Sequence, residues 1–213
     1  MPLPTFFNLS DEKRQKIIQL SLGEFAENDY QSASISKIVS KAGIAKGSFY
    51  QYFTDKSDLY SYLLELGAQK KAALMVSTFE QNSEDSFFDS LDRLFNSLTR
   101  FELQYPELSK IGYKAATGKS PIPSELLKNA KLATQQFFAD MISKGIERGE
   151  VRKNVDVNAT AFLLATALSE LGNFVGIRPD QIGNSQQVVS ENPQLLHAYQ
   201  SIIHIIRDGI STN

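Results

Sequence analysis

The sequence contains no cysteine and no tryptophan, and only two histidines among its 213 residues. Without cysteine, disulfides, thiolate metal sites and cysteine nucleophiles are all excluded, so nothing in the chain calls for an oxidising compartment. His197 and His204 are seven residues apart, whereas a metal-binding pair on one helix prefers a spacing of three or four. We therefore expect a cytoplasmic protein with neither a metal site nor a cofactor.

Long apolar runs are also lacking. The longest apolar stretch, residues 160–177, is interrupted by polar residues and glycine, and the N-terminus has no basic region followed by an apolar core. We expect neither a membrane span nor a signal peptide.

The chain has no overall excess of positive charge, since its formal net charge is -2. The charges within residues 1–60 balance, since seven Lys and Arg residues stand against seven Asp and Glu residues. Within residues 34–56, however, four lysines stand against the single Asp55. Any binding of nucleic acid must therefore depend on this short basic segment.

Apolar residues recur at intervals of three and four through most of the chain, which predicts an all-α protein. The first helix is expected to begin after Ser10, a favourable N-cap that two acidic residues follow. A long helix is expected to begin at Asp55 and Asp58, whose spacing resembles a capping box, and to run to about Gln81. Further helices are predicted near residues 84–105, 107–117, 124–148, 157–175 and 193–208.

Between the first helix and the long helix, the sequence predicts a helix-turn-helix. Ser34 is an N-cap, and apolar residues follow at helical spacing up to Ala42. Gly43 enters the left-handed region at little cost and predicts a tight reversal. A second short helix follows, with Phe49 and Phe53 directed inward.

The outer face of this second short helix carries small and hydrogen-bonding groups. At about 100° per residue, Gly47 and Gln51 point away from the buried Phe49. Glycine lets the backbone come close to DNA, and a glutamine amide can pair bidentately with adenine. Ser48 can bond to a base edge or to a phosphate. Reading bases through the major groove requires this combination.

Basic and tyrosine side chains around that face are candidate phosphate contacts. Lys46 stands at the start of the helix, and Tyr50 and Tyr52 offer hydroxyl groups. Lys56 lies in the first turn of the following long helix, where its charge opposes the helix dipole, so a bound phosphate would remove an unfavourable interaction. For each residue taken singly, the alternative is an ordinary solvated surface group.

Residues 34–59, SISKIVSKAGIAKGSFYQYFTDKSDL, closely resemble the DNA-binding segment of the TetR family of repressors. The resemblance is strong over about residues 10–66, and residues 145–151 are more weakly similar to that family's link between two C-terminal helices. Ala45 departs from the pattern, because family members often carry an N-capping serine there, so we expect the recognition helix to fray in the free protein. The resemblance implies that eight residues occupy operator-contacting positions: Ser36, Lys46, Gly47, Ser48, Tyr50, Gln51, Tyr52 and Lys56.

The resemblance also implies an architecture and a function. Residues 1–55 would form a three-helix helix-turn-helix DNA-binding domain, joined by a long helix to a helical ligand-binding and dimerisation domain, residues 56–213. Such a protein binds palindromic double-stranded operator DNA as a homodimer. The predicted helices near residues 157–175 and 193–208 carry more apolar residues than one-sided burial needs, so they are expected to form the dimer interface.

The middle of the chain is rich in phenylalanine and tyrosine. Core packing is the simpler interpretation of any one aromatic residue, but a ligand pocket in a helical body would be lined by the same residue types. This composition favours a small apolar or aromatic effector, and the resemblance to the TetR family implies that the effector releases the DNA. The candidate ligand-binding residues are Phe137, Phe138, Met141 and Phe162.

No serine or acidic pair stands in a recognisable catalytic motif, so we expect no enzymatic activity. Three alternatives stay open at this point: a helix-turn-helix activator, a regulator that senses a partner protein, and an enzyme that carries a vestigial DNA-binding module.

Overall fold

The computed structural model describes residues 1–79, 85–117, 120–174 and 193–212. These residues form ten α-helices and one isolated antiparallel bridge, which confirms the all-α prediction. In chain order the helices are α1 (Pro4–Phe7), α2 (Asp11–Glu27), α3 (Ile35–Ala42), α4 (Lys46–Tyr52), α5 (Lys56–Phe79), α6 (Phe87–Gln104), α7 (Pro106–Ala116), α8 (Ser124–Glu147), α9 (Val157–Phe174) and α10 (Pro193–Ile210).

Nine of these helices correspond to predicted segments, whereas α1 was not predicted. The predicted helix limits at Gln81, Glu84 and Val175 fall outside the described residues. Among the helices that the structure describes, none is long and apolar enough to cross a membrane.

Three of the predicted helix starts are confirmed by their hydrogen bonds. The hydroxyl oxygens of Ser10 and Ser34 accept from the backbone N–H three residues further on, at 3.4 and 3.3 Å. The Asp55 carboxylate accepts from the N–H of Asp58 at 2.8 Å, and the Asp58 carboxylate accepts from the N–H of Thr54 at 3.0 Å. Side chains thus satisfy backbone donors that a helix start leaves without partners.

One compact unit contains Met1–Lys70 and Tyr105–Pro123, so that α7 packs with the N-terminal helices. Tyr60 of α5 is buried, and its hydroxyl donates to the backbone carbonyl of Ile111 in α7 at 3.4 Å. Burial raises the pKa of the Tyr60 phenol to about 12, so the hydroxyl keeps its proton at neutral pH. The core of this unit includes Ile17, Phe25, Ile38, Phe49, Phe53, Leu59 and Leu63.

A second compact unit contains Lys71–Gln104 and Ser124–Asn213. Helix α8 ends at Glu147, and Gly149 in the turn that follows has a φ of 75°, which lets the N–H of Glu150 donate back to the carbonyl of Gly145 at 2.9 Å. Just beyond this turn, Val151 forms the isolated bridge with Ser211. The core of this unit includes Phe87, Leu91, Phe95, Phe138, Ile142, Leu164 and Ile203.

These units describe packing, whereas the predicted division into residues 1–55 and 56–213 concerns function. Helix α5 begins in the first unit and continues into the second, and α7 belongs to the first. The functional boundary therefore stays a prediction.

Candidate nucleic-acid interface

Helix α3, a reversal at Gly43 and helix α4 form the predicted helix-turn-helix. Gly43 has a φ of 72°, in the left-handed region that disfavours any residue with a side chain. Its N–H donates to the carbonyl of Ser40 at 3.2 Å, and the N–H of Ile44 donates to that of Val39 at 3.0 Å. The reversal thereby satisfies carbonyls at the end of α3 and directs the chain into α4.

One face of α4 is fixed by a cluster of buried aromatic rings. Phe49 is 1% exposed and Phe53 is 0% exposed, so their inward orientation is confirmed. Phe6 of α1 packs against Phe53 with ring centroids 4.8 Å apart. The N–H of Leu3 donates to the carbonyl of Tyr52 at 2.8 Å. The N-terminal residues therefore support α4 from the side opposite its exposed face.

Sequence reasoning missed this supporting helix. A signal was present, because Pro4 suits the first turn of a helix and aromatic residues follow it. The Thr5 hydroxyl donates to the backbone carbonyl of Gln51, which adds a second link between α1 and the end of α4. A four-residue helix has too little periodicity for pattern reasoning to detect.

The opposite face of α4 is open to solvent, as predicted. Lys46, Gly47, Tyr50 and Gln51 are exposed, and Ser48 is half-buried. A Cβ added at Gly47 would meet no heavy atom within 4 Å beyond its chain neighbours and the backbone of its own helix. The packing of the described residues therefore does not require glycine at this position.

Helix α4 begins without a side-chain cap. Ala45 occupies the N-cap position and offers no hydrogen-bond acceptor in its side chain, as its identity predicted. The N–H of Ser48 donates to the Ala45 carbonyl at 2.9 Å, which closes the first turn through the backbone alone. Fraying of this end in the free protein stays a prediction.

The structure gives Tyr52 a different place from the one predicted. The residue is only 9% exposed, and its ring lies 6.2 Å from that of Phe6. Helical geometry explains the difference, because Tyr52 follows Phe49 by three residues and so shares its buried face. The prediction of a phosphate contact treated Tyr52 like Tyr50, which is 53% exposed.

Lys56 makes hydrogen bonds within the protein that the sequence did not reveal. Its ammonium donates to the backbone carbonyls of Tyr30, Gln31 and Ala33 at 2.7, 3.2 and 3.1 Å. It also lies 4.6 Å from the centre of the Tyr30 ring, and burial raises the pKa of that phenol, so the ring is neutral at neutral pH. All three N–H donors of the ammonium are thus engaged within the protein.

The basic character of the surface comes from other lysines. Lys37 and Lys41 on α3 and Lys46 on α4 are all exposed. Ser36, which only the family resemblance singled out, is exposed in the first turn of α3. The two short helices therefore present cationic and hydroxyl groups together.

The four candidate ligand-binding residues divide into two pairs. Phe138 is fully buried in the core of the second unit, and Met141 is partly buried against that core. Phe137 is 38% exposed and Phe162 is 54% exposed, so neither of them lines the interior of the unit. Contact with a ligand stays a prediction for all four residues, and Phe137 and Phe162 lie on the outer sides of their helices.

A polar cleft of about 250 Å³ lies between α6 and α10 in the second unit. None of the candidate ligand-binding residues lines it. Arg207 crosses the cleft to Asp92 with a nitrogen to oxygen distance of 3.5 Å. The remaining lining residues are Asn96, Gln200, Ile203 and His204.

A helix-turn-helix with a buried aromatic back and an exposed face of small, hydrogen-bonding and basic side chains defines a class of DNA-binding protein. Two family models match the chain. The model for bacterial regulatory proteins of the tetR family matches residues 17–63, and the model for a tetracyclin repressor-like C-terminal domain matches residues 85–211. The chain belongs to the TetR family, which is a family of transcriptional regulators.

Individual relatives support this assignment. A TetR family transcriptional regulator from Chloroflexus aurantiacus J-10-FL has a solved structure that aligns over 100% of both chains, with 36% identity and a TM-score of 0.83. The uncharacterized HTH-type transcriptional regulator YvdT of Bacillus subtilis (strain 168) is 23% identical over 79% of this chain and 86% of its own length. The HTH-type transcriptional regulator AcrR of Shigella flexneri is 39% identical, but over only 27% of this chain and 26% of that protein.

Proposed function

We propose that this regulator is a repressor that binds palindromic operator DNA as a homodimer and is released by a small apolar or aromatic effector. The observation that carries the proposal is the exposed face of α4, where Gly47 and Gln51 lie beside Lys46 and Tyr50. That face has the size and the chemistry of a helix that enters the major groove.

Each residue of the face has a separate role in this proposal. Gln51 pairs with a base edge, and Gly47 lets the backbone approach the DNA. Lys46, Tyr50 and the hydroxyls of Ser36 and Ser48 contact phosphates, which set the register of the protein on the duplex. We leave Tyr52 out because it is buried, and we assign Lys56 to holding the loop before α3 rather than to a phosphate.

Selection of bound duplexes from a random DNA pool tests the proposal directly. The wild-type protein is expected to enrich one sequence with two-fold symmetry. Failure to enrich any sequence, at low salt and with folded protein, would refute operator binding.

Two variants of α4 then separate reading of bases from attraction to phosphate. Gln51→Ala is expected to lose about 1–3 kcal/mol of discrimination at one base pair of each half-site while its salt dependence is unchanged. Lys46→Met is expected to weaken binding to all duplexes and to lower the slope of log affinity against log salt by about 0.9 per site. Fluorescence anisotropy over a salt series measures both effects. Equal losses on selected and scrambled duplexes for Gln51→Ala would contradict its role in reading bases.

Exposed apolar side chains on α9 and α10 support the proposed homodimer. Phe162 is 54% exposed, Leu163 is 62% exposed and Ile205 is 71% exposed. Phe162 and Leu163 are consecutive residues of α9, and large apolar groups exposed together are typical of an interface. Two reading helices related by a two-fold axis would meet half-sites about 34–36 Å apart, or a multiple of that spacing.

A charge placed on this surface should dissociate the dimer. Leu163→Glu is expected to raise the dimer dissociation constant at least about 100-fold, since burying an unpaired carboxylate costs several kcal/mol. Leu132→Glu on α8 is the matched control, because Leu132 is 51% exposed but lies outside the predicted interface. Sedimentation measures the dimer dissociation constant of both variants, and only Leu163→Glu is expected to raise it. A monomeric wild-type protein at micromolar concentration, with or without DNA, would refute the homodimer.

The proposed effector must bind two arrangements of the dimer with different affinity. A ligand that binds both arrangements equally shifts nothing, however tightly it binds. Helix α5 supports such coupling, because it starts beside α4 and continues as one helix into the second unit. Reciprocity requires that operator DNA weaken effector binding by the same factor as the effector weakens operator binding.

A further inference from the structure

The carboxyl end of α2 is capped by a lysine from a distant helix. Lys114 of α7 donates to the backbone carbonyls of Phe25, Ala26 and Asn28 at 3.2, 3.1 and 2.8 Å. Its side chain is only 14% exposed, and Asp29 lies 3.7 Å from the same ammonium. A cation at this position satisfies carbonyls that the end of a helix leaves without partners and complements the helix dipole.

The segment that Lys114 holds leads directly into the helix-turn-helix. It continues through Asp29, whose carbonyl accepts from the N–H groups of Ser32 and Ala33 at 3.0 Å each. The next residue, Ser34, is the N-cap of α3, and its own N–H donates to the buried carboxylate of Glu24 at 2.9 Å. Between them, Lys114 and Lys56 bind six carbonyls within nine residues.

We propose that Lys114 is a positioning residue for operator recognition, through which α7 holds α2 and the following loop in the orientation that presents α3 and α4 to DNA. This inference rests on the proposed function. It extends the set of residues that determine DNA binding into residues 85–211, which match the C-terminal model of the family. Charge-assisted hydrogen bonds are about twice as strong as neutral ones, so three of them on one segment restrict its motion substantially.

Lys114→Met tests this role because it keeps the length of the side chain and removes its three donors. The amides of Ser32 and Ala33 are expected to exchange hydrogen about tenfold faster, since their shared acceptor belongs to the released segment. Affinity for the selected duplex is expected to fall about tenfold, equivalent to 1.4 kcal/mol. Affinity for a scrambled duplex is expected to fall much less, because nonspecific binding does not require a precise orientation of α3 and α4.

The ratio of the two affinities distinguishes positioning from simple loss of stability. A smaller folded fraction would lower binding to both duplexes by the same factor. A changed orientation of α3 and α4 would instead lower the ratio of the affinity for the selected duplex to the affinity for the scrambled duplex. The slope of log affinity against log salt should stay at the wild-type value, because no phosphate contact is removed. Lys114→Arg should restore both the ratio and the exchange rates, since a guanidinium also donates to carbonyls.

Lys110→Met is the matched control. It removes the same charge from the same helix, and Lys110 makes no hydrogen bond or ion pair within the described residues. A ratio that falls equally in Lys110→Met and Lys114→Met would overturn the proposal, as would faster exchange in Lys114→Met with unchanged affinities. A wild-type protein that enriches no duplex would overturn the proposed function itself, and this inference with it.

Discussion

Truncation of Phe138 to alanine is expected to lower the free energy of unfolding by about 3–5 kcal/mol, near the upper end for a single substitution. Phe138 is fully buried, and it packs in the core of the second unit with Ile142 and Leu164. The truncation removes a ring and leaves a cavity that helices on several sides cannot close completely. Urea titration followed by circular dichroism measures the change.

Phe137→Ala is the matched control, because it makes the same chemical change one residue away. Phe137 is 38% exposed, so its truncation should cost less than about 1 kcal/mol. The comparison also decides between the two interpretations of Phe138, as a core residue and as a wall of a ligand pocket. A loss below about 1 kcal/mol for Phe138→Ala, together with weaker effector binding, would contradict the core assignment.

Features that depend on neighbouring residues could be predicted from the sequence. The N-caps at Ser10 and Ser34, the reversal at Gly43 and the inward direction of Phe49 all follow from residues within one or two helical turns. The caps and the glycine reversal also repeat preferences that a short peptide has by itself. For this reason the face of α4 that carries Gln51 was predictable as well.

The roles of Lys56 and Lys114 depend on contacts across the sequence. Lys56 binds carbonyls 23 to 26 residues away, and Lys114 binds carbonyls 86 to 89 residues away. Lys56 opposes the dipole of its own helix, α5, but the residues that compensate for this lie outside that helix. Backbone carbonyls of the loop before α3 accept from the ammonium. Every residue has a backbone carbonyl, so the residue types in a sequence do not indicate which carbonyls will accept from a distant lysine.

The second large effect concerns Gly47, where stability and DNA binding are expected to change in opposite directions. Gly47→Ala should stabilise the protein by about 0.5–1 kcal/mol, because alanine is the better helix former. The new methyl group has room, since no heavy atom beyond its chain neighbours and its own helix backbone lies within 4 Å of its position. Operator affinity should nevertheless fall, by about 5- to 150-fold if one good base contact is lost.

Gly23→Ala provides the control for this prediction. Gly23 lies in α2, and a Cβ there also meets no heavy atom within 4 Å beyond its chain neighbours and its own helix backbone, so alanine should give a similar gain in thermal stability. Its operator affinity should equal that of the wild-type protein.

Most substitutions that impair binding also impair folding, so a loss of affinity usually has two explanations. A variant of Gly47 that melts at a higher temperature and yet binds DNA poorly has only one, which is that the backbone of α4 lies against the duplex. Unchanged affinity in Gly47→Ala would show that α4 does not approach DNA at this residue, and a lower melting temperature would show that the space beside Gly47 is not open.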